Sequence, residues 1–165
     1  MHRFLLLCLA LLALTGCKRD TPEEARARAE SWLYLGDQLH FNASPYCAVA
    51  VYRLERDEAR GTLYHVSDAQ RALWHIRQDH PVALYHSERS PNDFSVELMS
   101  MDLPEGLGIL SSATGPRKCM SDEVATGVYA ILMTPKAWTI YDPGSDVLIL
   151  ADFARGFAVY MRGNV

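Results

Sequence analysis

No block of lysines and arginines stands out anywhere in the 165 residues, so the electrostatic footprint of a nucleic-acid-binding protein is missing. No apolar run is long enough to cross a bilayer. The run Phe4–Leu14, "FLLLCLALLAL", has eleven residues, where a spanning helix needs roughly 20. There is no G-x-S-x-G elbow, no H-E-x-x-H and no P-loop, so the common hydrolase and nucleotide-binding signatures are absent. Internal repeats and low-complexity tracts are absent too. Cysteine is scarce, at four residues with no C-x-x-C pair, which removes the commonest redox arrangement.

What is present begins at the amino terminus. Arg3 supplies a positive charge, the apolar run follows, and small residues end it, the layout of an export leader. The end of that run is "LTGC", Leu14 to Cys17. These four residues resemble the lipobox of bacterial lipoproteins: Leu, a small residue, Gly or Ala, then cysteine. The resemblance covers about a tenth of the chain and implies a leader of residues 1–16, a lipid on the Cys17 thiol and acylation of the new amino terminus. Several acyl chains, at about 0.8 kcal/mol per buried methylene, make a durable anchor. The next residue is Lys18 rather than the Asp that marks inner-membrane retention in enteric bacteria, so the resemblance favours the outer membrane, with the domain facing the periplasm.

Removing residues 1–16 leaves 149, a comfortable size for one domain. The 20 acidic residues then face 15 basic ones, a formal charge of −5. The apolar fraction falls to about 46%, ordinary for a globular protein. The organisation expected is a leader (1–16), a lipidated amino terminus with a short charged linker (17–24) and a single globular domain (25–165).

Within that domain, "TPEEARARAESWLYLG" reads as a helix. Thr21 is its N-cap, Pro22 its first position, Glu23 and Glu24 favour the positive end of the macrodipole, and Gly36 is its stop. "DQLHFNASPYCAVAVYRL" reads as two strands about a turn at Asn42–Pro45, with Cys47, Val49 and Val51 on one face and Ala48, Ala50 and Tyr52 on the other. "VSDAQRALWHIRQDHP" is the clearest helix. Ser67 or Asp68 caps it, Pro81 ends it, and Val66, Ala69, Leu73 and Ile76 face the core. Two short helices broken at Pro104 come next, then a helix after Ser121 with Val124, Val128, Ile131 and Leu132 buried. Three antiparallel strands close the chain, the first two joined by a tight turn at Pro143–Gly144. The fold class expected is α+β: an antiparallel sheet of about five strands, two near 37–54 and three near 137–161, packed by three to five helices.

Cys47 and Cys119 remain once Cys8 leaves with the leader and Cys17 is acylated. An even pair in an exported domain reads first as a disulfide, closing a loop of about 70 residues. A thiol role competes, because Cys119 follows Arg117 and Lys118 and precedes a helix N-terminus, both of which stabilise a thiolate. Asp122 and Glu123 partly cancel that field. His65, His80, His86 and Glu88 form the one conceivable metal cluster. His75 and His80, five residues apart, do not share a helix face, and His75 reads as a solvated side chain. "GLGILS" at Gly106 imitates half a dinucleotide fingerprint, but Ser111 replaces the third glycine, and a helix or loop explains it better. Asn42 opens a glycosylation sequon in form only. Trp32, Trp74, Trp138 and the eight tyrosines could line a groove, although in a domain of this size they belong more often to the core.

No cofactor is implied. The functional expectation is a non-enzymatic envelope lipoprotein that binds a protein partner or a small ligand at the membrane surface. The competing class is an enzyme using Cys119 or a histidine cluster.

Overall fold

The computed structural model describes residues 19–61 and 63–163. Its elements run α1 (Pro22–Glu30), β1 (Leu33–Ser44), β2 (Cys47–Ala59), β3 (Tyr64–Val66), α2 (Ala69–Ile76), β4 (Val82–Leu84), α3 (Pro91–Met101), α4 (Leu103–Thr114), a 3₁₀ turn (Gly115–Cys119), α5 (Asp122–Leu132), β5 (Trp138–Asp142), β6 (Val147–Asp152) and β7 (Phe157–Gly163). The strands form one sheet in the order β1-β2-β7-β6-β5-β4-β3. All neighbours are antiparallel except β3 and β4, which are parallel.

The α+β class stands, but the sheet has seven strands and is mixed, rather than five and antiparallel. The two additional strands, Tyr64–Val66 and Val82–Leu84, have three residues each, too short for alternation to register. They are parallel because α2 crosses over between them, the connection that parallel pairing requires. The first helix also ends earlier than expected, at Glu30, not at Gly36. Leu33 and Leu35, at 0% and 5% exposure, are spaced two apart, and that spacing places both on one face of β1. Arg26 ties the start of the strand back to α1, donating to the carbonyls of Gly36 at 2.9 Å and Leu35 at 3.0 Å.

Alternation in β2 sorts the core into two layers. Cys47 and Val49 join Leu148, Leu150, Val159 and Met161 on the face covered by α2 to α5. Ala48, Ala50 and Tyr52 join Ile149, Ile140 and Tyr160 on the face covered by α1 through Ala25 and Ala29. Strand β6 lies between both layers, and all six of its residues are buried. That is why "VLILAD" has no polar face.

From Asp20 onward, the stretch that reads as linker takes part in the fold. Asp20 is 6% exposed. Its Oδ2 accepts from Arg162 Nε at 2.6 Å and from the Tyr160 hydroxyl at 3.3 Å, and Arg28 lies 3.6 Å from Oδ1. Burial, with the Asp20 charge second, pushes the Tyr160 phenol up to about 12. Thr21 then caps α1 in a reciprocal capping box with Glu24.

Helix α2 starts on the Asp68 cap and buries Ala69, Leu73 and Ile76 as read. It stops at Ile76, with Asp79 turning the chain in the left-handed region at φ 55°. Gly106, in the "GLGILS" stretch, lies where α3 and α4 meet. A Cβ there would come within 2.6 Å of the Met99 backbone, so a close helix crossing explains this glycine.

Candidate functional site

Helix α5 is held at both ends and packs on the sheet through Val128 and Ile131. At its start Ser121 accepts from the Val124 N–H at 3.2 Å. Just before that cap, Cys119 is bonded to Cys47 with their Cα atoms 6.1 Å apart, which fixes the helix start beside the first residue of β2. The Asn42 side chain donates to the Cys119 carbonyl at 3.2 Å, adding a tie to β1. Past its end, Arg155 donates to Thr134 Oγ1 at 2.9 Å and to Asp152 Oδ2 at 2.8 Å.

Alongside the contact made by Val128 and Ile131 lies a groove of about 450 Å³, within the range of small-molecule sites. Leu39, Val51, Phe157 and Val159 line it from the sheet, and Val124 and Ile131 from the helix. Polar groups sit at its rim, with Ser121 and Glu123 by the helix start and Arg155 towards the other end. Gly127 opens its helix wall: a Cβ built there meets nothing within 4 Å. His40 also lines the groove, and its Nε2 is buried without a hydrogen-bond partner. A buried polar atom left so costs about 1–3 kcal/mol, and a bound group placed against it would recover that. The arrangement suits an elongated apolar body carrying one hydrogen-bonding group.

The expected site residues fall elsewhere or are occupied. Cys17 lies outside the described residues. Cys47 and Cys119 are each 2% exposed and joined as the disulfide, so no thiol is left at either position. Arg117 turns to the Asp122 carboxylate at 2.6 Å and the Met120 carbonyl at 3.2 Å. The metal cluster does not assemble. His65 packs edge-on against Trp138, His80 stacks on Tyr64, and His86 Nδ1 accepts from the Glu88 N–H at 3.2 Å. Among the described residues no group of three or more His, Cys, Asp or Glu could hold a metal ion.

His75 is not the freely solvated side chain expected. Its ring stacks on Tyr64 at 4.0 Å and meets Trp74 edge-on at 4.7 Å. Burial, then the neighbouring His80, lowers its pKa. Of the tryptophans, Trp32 and Trp138 pack against the layer under α1, while Trp74 is 59% exposed.

Val128 and Ile131 are buried in the core as read, with Val124 and Leu132 packed against it, while the groove roles of Leu39, His40, Phe157 and Gly127 were not foreseen. One signal was available. A glycine inside an otherwise strong helix costs about 1 kcal/mol against alanine and points to a reason for having no side chain. No family model, no curated protein and no solved structure matches the chain.

Proposed function

We propose that the chain is an exported lipoprotein, anchored through lipid on Cys17 and facing the periplasm, and that it works as a non-enzymatic binding module whose ligand is a linear acyl chain. The lipobox supports the anchor, and Lys18 favours the outer membrane. The observation that carries the binding role is the groove under α5, apolar on its floor and opened by Gly127, with the unpaired His40 Nε2 in its wall. Helix α5 has 11 residues and so spans about 16 Å, a length suited to a medium acyl chain laid along it. His40 would meet the polar head. An enzymatic reading has less support, since the cysteines are bonded and His65, His80 and His86 each turn to a different partner.

The test is photo-crosslinking of the full lipidated protein in vesicles with a diazirine analogue of laurate, followed by peptide mapping. Adducts should concentrate in 39–51 and 124–131, and unlabelled laurate should suppress them. Adducts spread evenly over the surface, or insensitive to competition, would rule the groove out.

A further inference from the structure

The sheet has two ends with different surfaces, and the amino terminus leaves the fold at one of them. Asp20 is pinned to Arg162 of β7 at 2.6 Å. Arg162 and Gly163 pair with Ala48 and Cys47 at the start of β2. The same end carries the β1–β2 turn, where Tyr46 is 68% exposed, and the 3₁₀ turn, whose Gly115 packs on Gly163. Tyr46, Thr114, Arg117 and Lys118 rim an open hollow beside the disulfide. At the opposite end Asp57, Lys136, Trp138 and Phe153 surround a separate hollow. Asp57 follows Cys47 by ten positions along β2, about 33 Å of strand.

Cys17 is three residues before Asp20, and three residues reach at most about 11 Å. Whatever path residues 17–19 take, the Cys17 Cα stays within that radius of the Asp20 Cα, and the lipid-bearing sulfur only a side chain's length further. We infer that the domain sits directly on the bilayer with this end down, Tyr46 and Lys118 in the headgroup layer and Lys136 held away from it. The inference rests on Cys17 lipidation. Tyrosine suits the interface because its ring is apolar and its hydroxyl is wet. Arg19 and Lys118 are exposed bases that suit anionic headgroups. Arg117 is paired with Asp122, and Glu23 and Glu123 add acid nearby. The short tether and Tyr46, more than net charge, therefore set the orientation. Asp20 acts as the rigid joint between lipid and domain.

The chain has three lysines, Lys18, Lys118 and Lys136, two of which mark the opposite ends. Full lipidated protein on phosphatidylethanolamine–phosphatidylglycerol vesicles is treated with a membrane-impermeant amine reagent and mapped by mass. The reference is a variant with about 20 Gly/Ser residues inserted between Arg19 and Asp20, a tether of roughly 25 Å root-mean-square length. Lys118 should react severalfold more slowly in the natural protein than in the insertion variant, and Lys136 equally in both. Asp20→Asn should partly restore Lys118 reactivity while the protein still floats with the vesicles, and a fold check by circular dichroism accompanies it. Equal Lys118 rates in natural and insertion proteins, with both floating, overturn the orientation and leave the anchor intact. Failure of the natural protein to float overturns the anchor and this inference with it.

Discussion

Replacing Gly127 by leucine separates a real groove from a gap in packing. In the middle of a helix, glycine is about 0.7 kcal/mol less favourable than leucine. The added side chain meets nothing at its first carbon, because the space within 4 Å of that position is empty. Its outer carbons would lie in the groove, between Val124 and Ile131 of the helix wall and the apolar sheet floor. Burying about a third of a leucine side chain adds roughly 0.5–1 kcal/mol. Gly127→Leu should therefore be more stable by about 1.2–1.7 kcal/mol, which for a domain of this size raises Tm by about 3–6 °C. The same variant should lose crosslinking to the laurate analogue in 39–51 and 124–131. Gly127→Ala is the control. It keeps the gain in helix propensity, about 1 kcal/mol, but leaves the groove open, so its labelling should persist. Melting of the full-length protein followed by calorimetry, with crosslinking in parallel, reads both quantities. A lower Tm for Gly127→Leu would show that the space is not there. A higher Tm with undiminished labelling would show that the space is not the site.

Three other perturbations follow from the packing. Reducing the Cys47–Cys119 bond opens a loop with a sequence separation of 72. It should cost about 4 kcal/mol and roughly 10 °C of Tm, and both cysteines should resist alkylation in the native protein until reductant is added. Gly106→Ala should lower stability by about 1–2 kcal/mol despite the better helix propensity, because its Cβ meets the Met99 backbone; a denaturant titration would expose any gain as a contradiction. Burial pushes Tyr141 and Tyr160 up to about 12, and raises Tyr52 as well. Below pH 10 folded and unfolded chains hold these protons alike, but between pH 10 and 12 the unfolded chain sheds protons that the folded one keeps, so stability falls. Absorbance titration should show three of the eight tyrosines ionising only as the ellipticity is lost, and eight ionising together near pH 10 would contradict it.

Periodicity made part of this molecule legible and concealed the rest for identifiable reasons. The alternation through Cys47–Tyr52, the Asp68 and Ser121 caps and the closing three strands could be read because each carries its own local signal, and the structure reproduces them. Leu33 and Leu35 fit a helix terminus as well as a strand until their pairing with β2 settles the matter. Strands β3 and β4 exist because a sheet edge is waiting for them, a condition no three-residue window contains. The groove is less legible still. His40, Val51, Gly127 and Phe157 come from four elements, and the disulfide, the Arg155 contacts and the packing of Val128 and Ile131 together set where α5 lies on the sheet. Asp20 is the clearest miss, because a charged residue near a chain end reads as solvated until its partner arrives 142 residues later.

The strand order sets the sequence of events by which the chain can fold. The opening hairpin, β1 and β2, meets the rest of the sheet only through β7, the last strand in the chain. A polypeptide threaded through a membrane amino terminus first presents Cys47–Ala59 long before Phe157–Gly163 emerges. For that interval the edge of β2 that will receive β7 is an unfilled template, of the kind that recruits other chains. Pairings so distant along the chain also make the final closure slow. Loss of β7 would leave a hairpin and a separate sheet where one fold should be. If the proposed lipid anchor holds, whatever keeps each unfinished hairpin apart from its neighbours matters until its own β7 arrives.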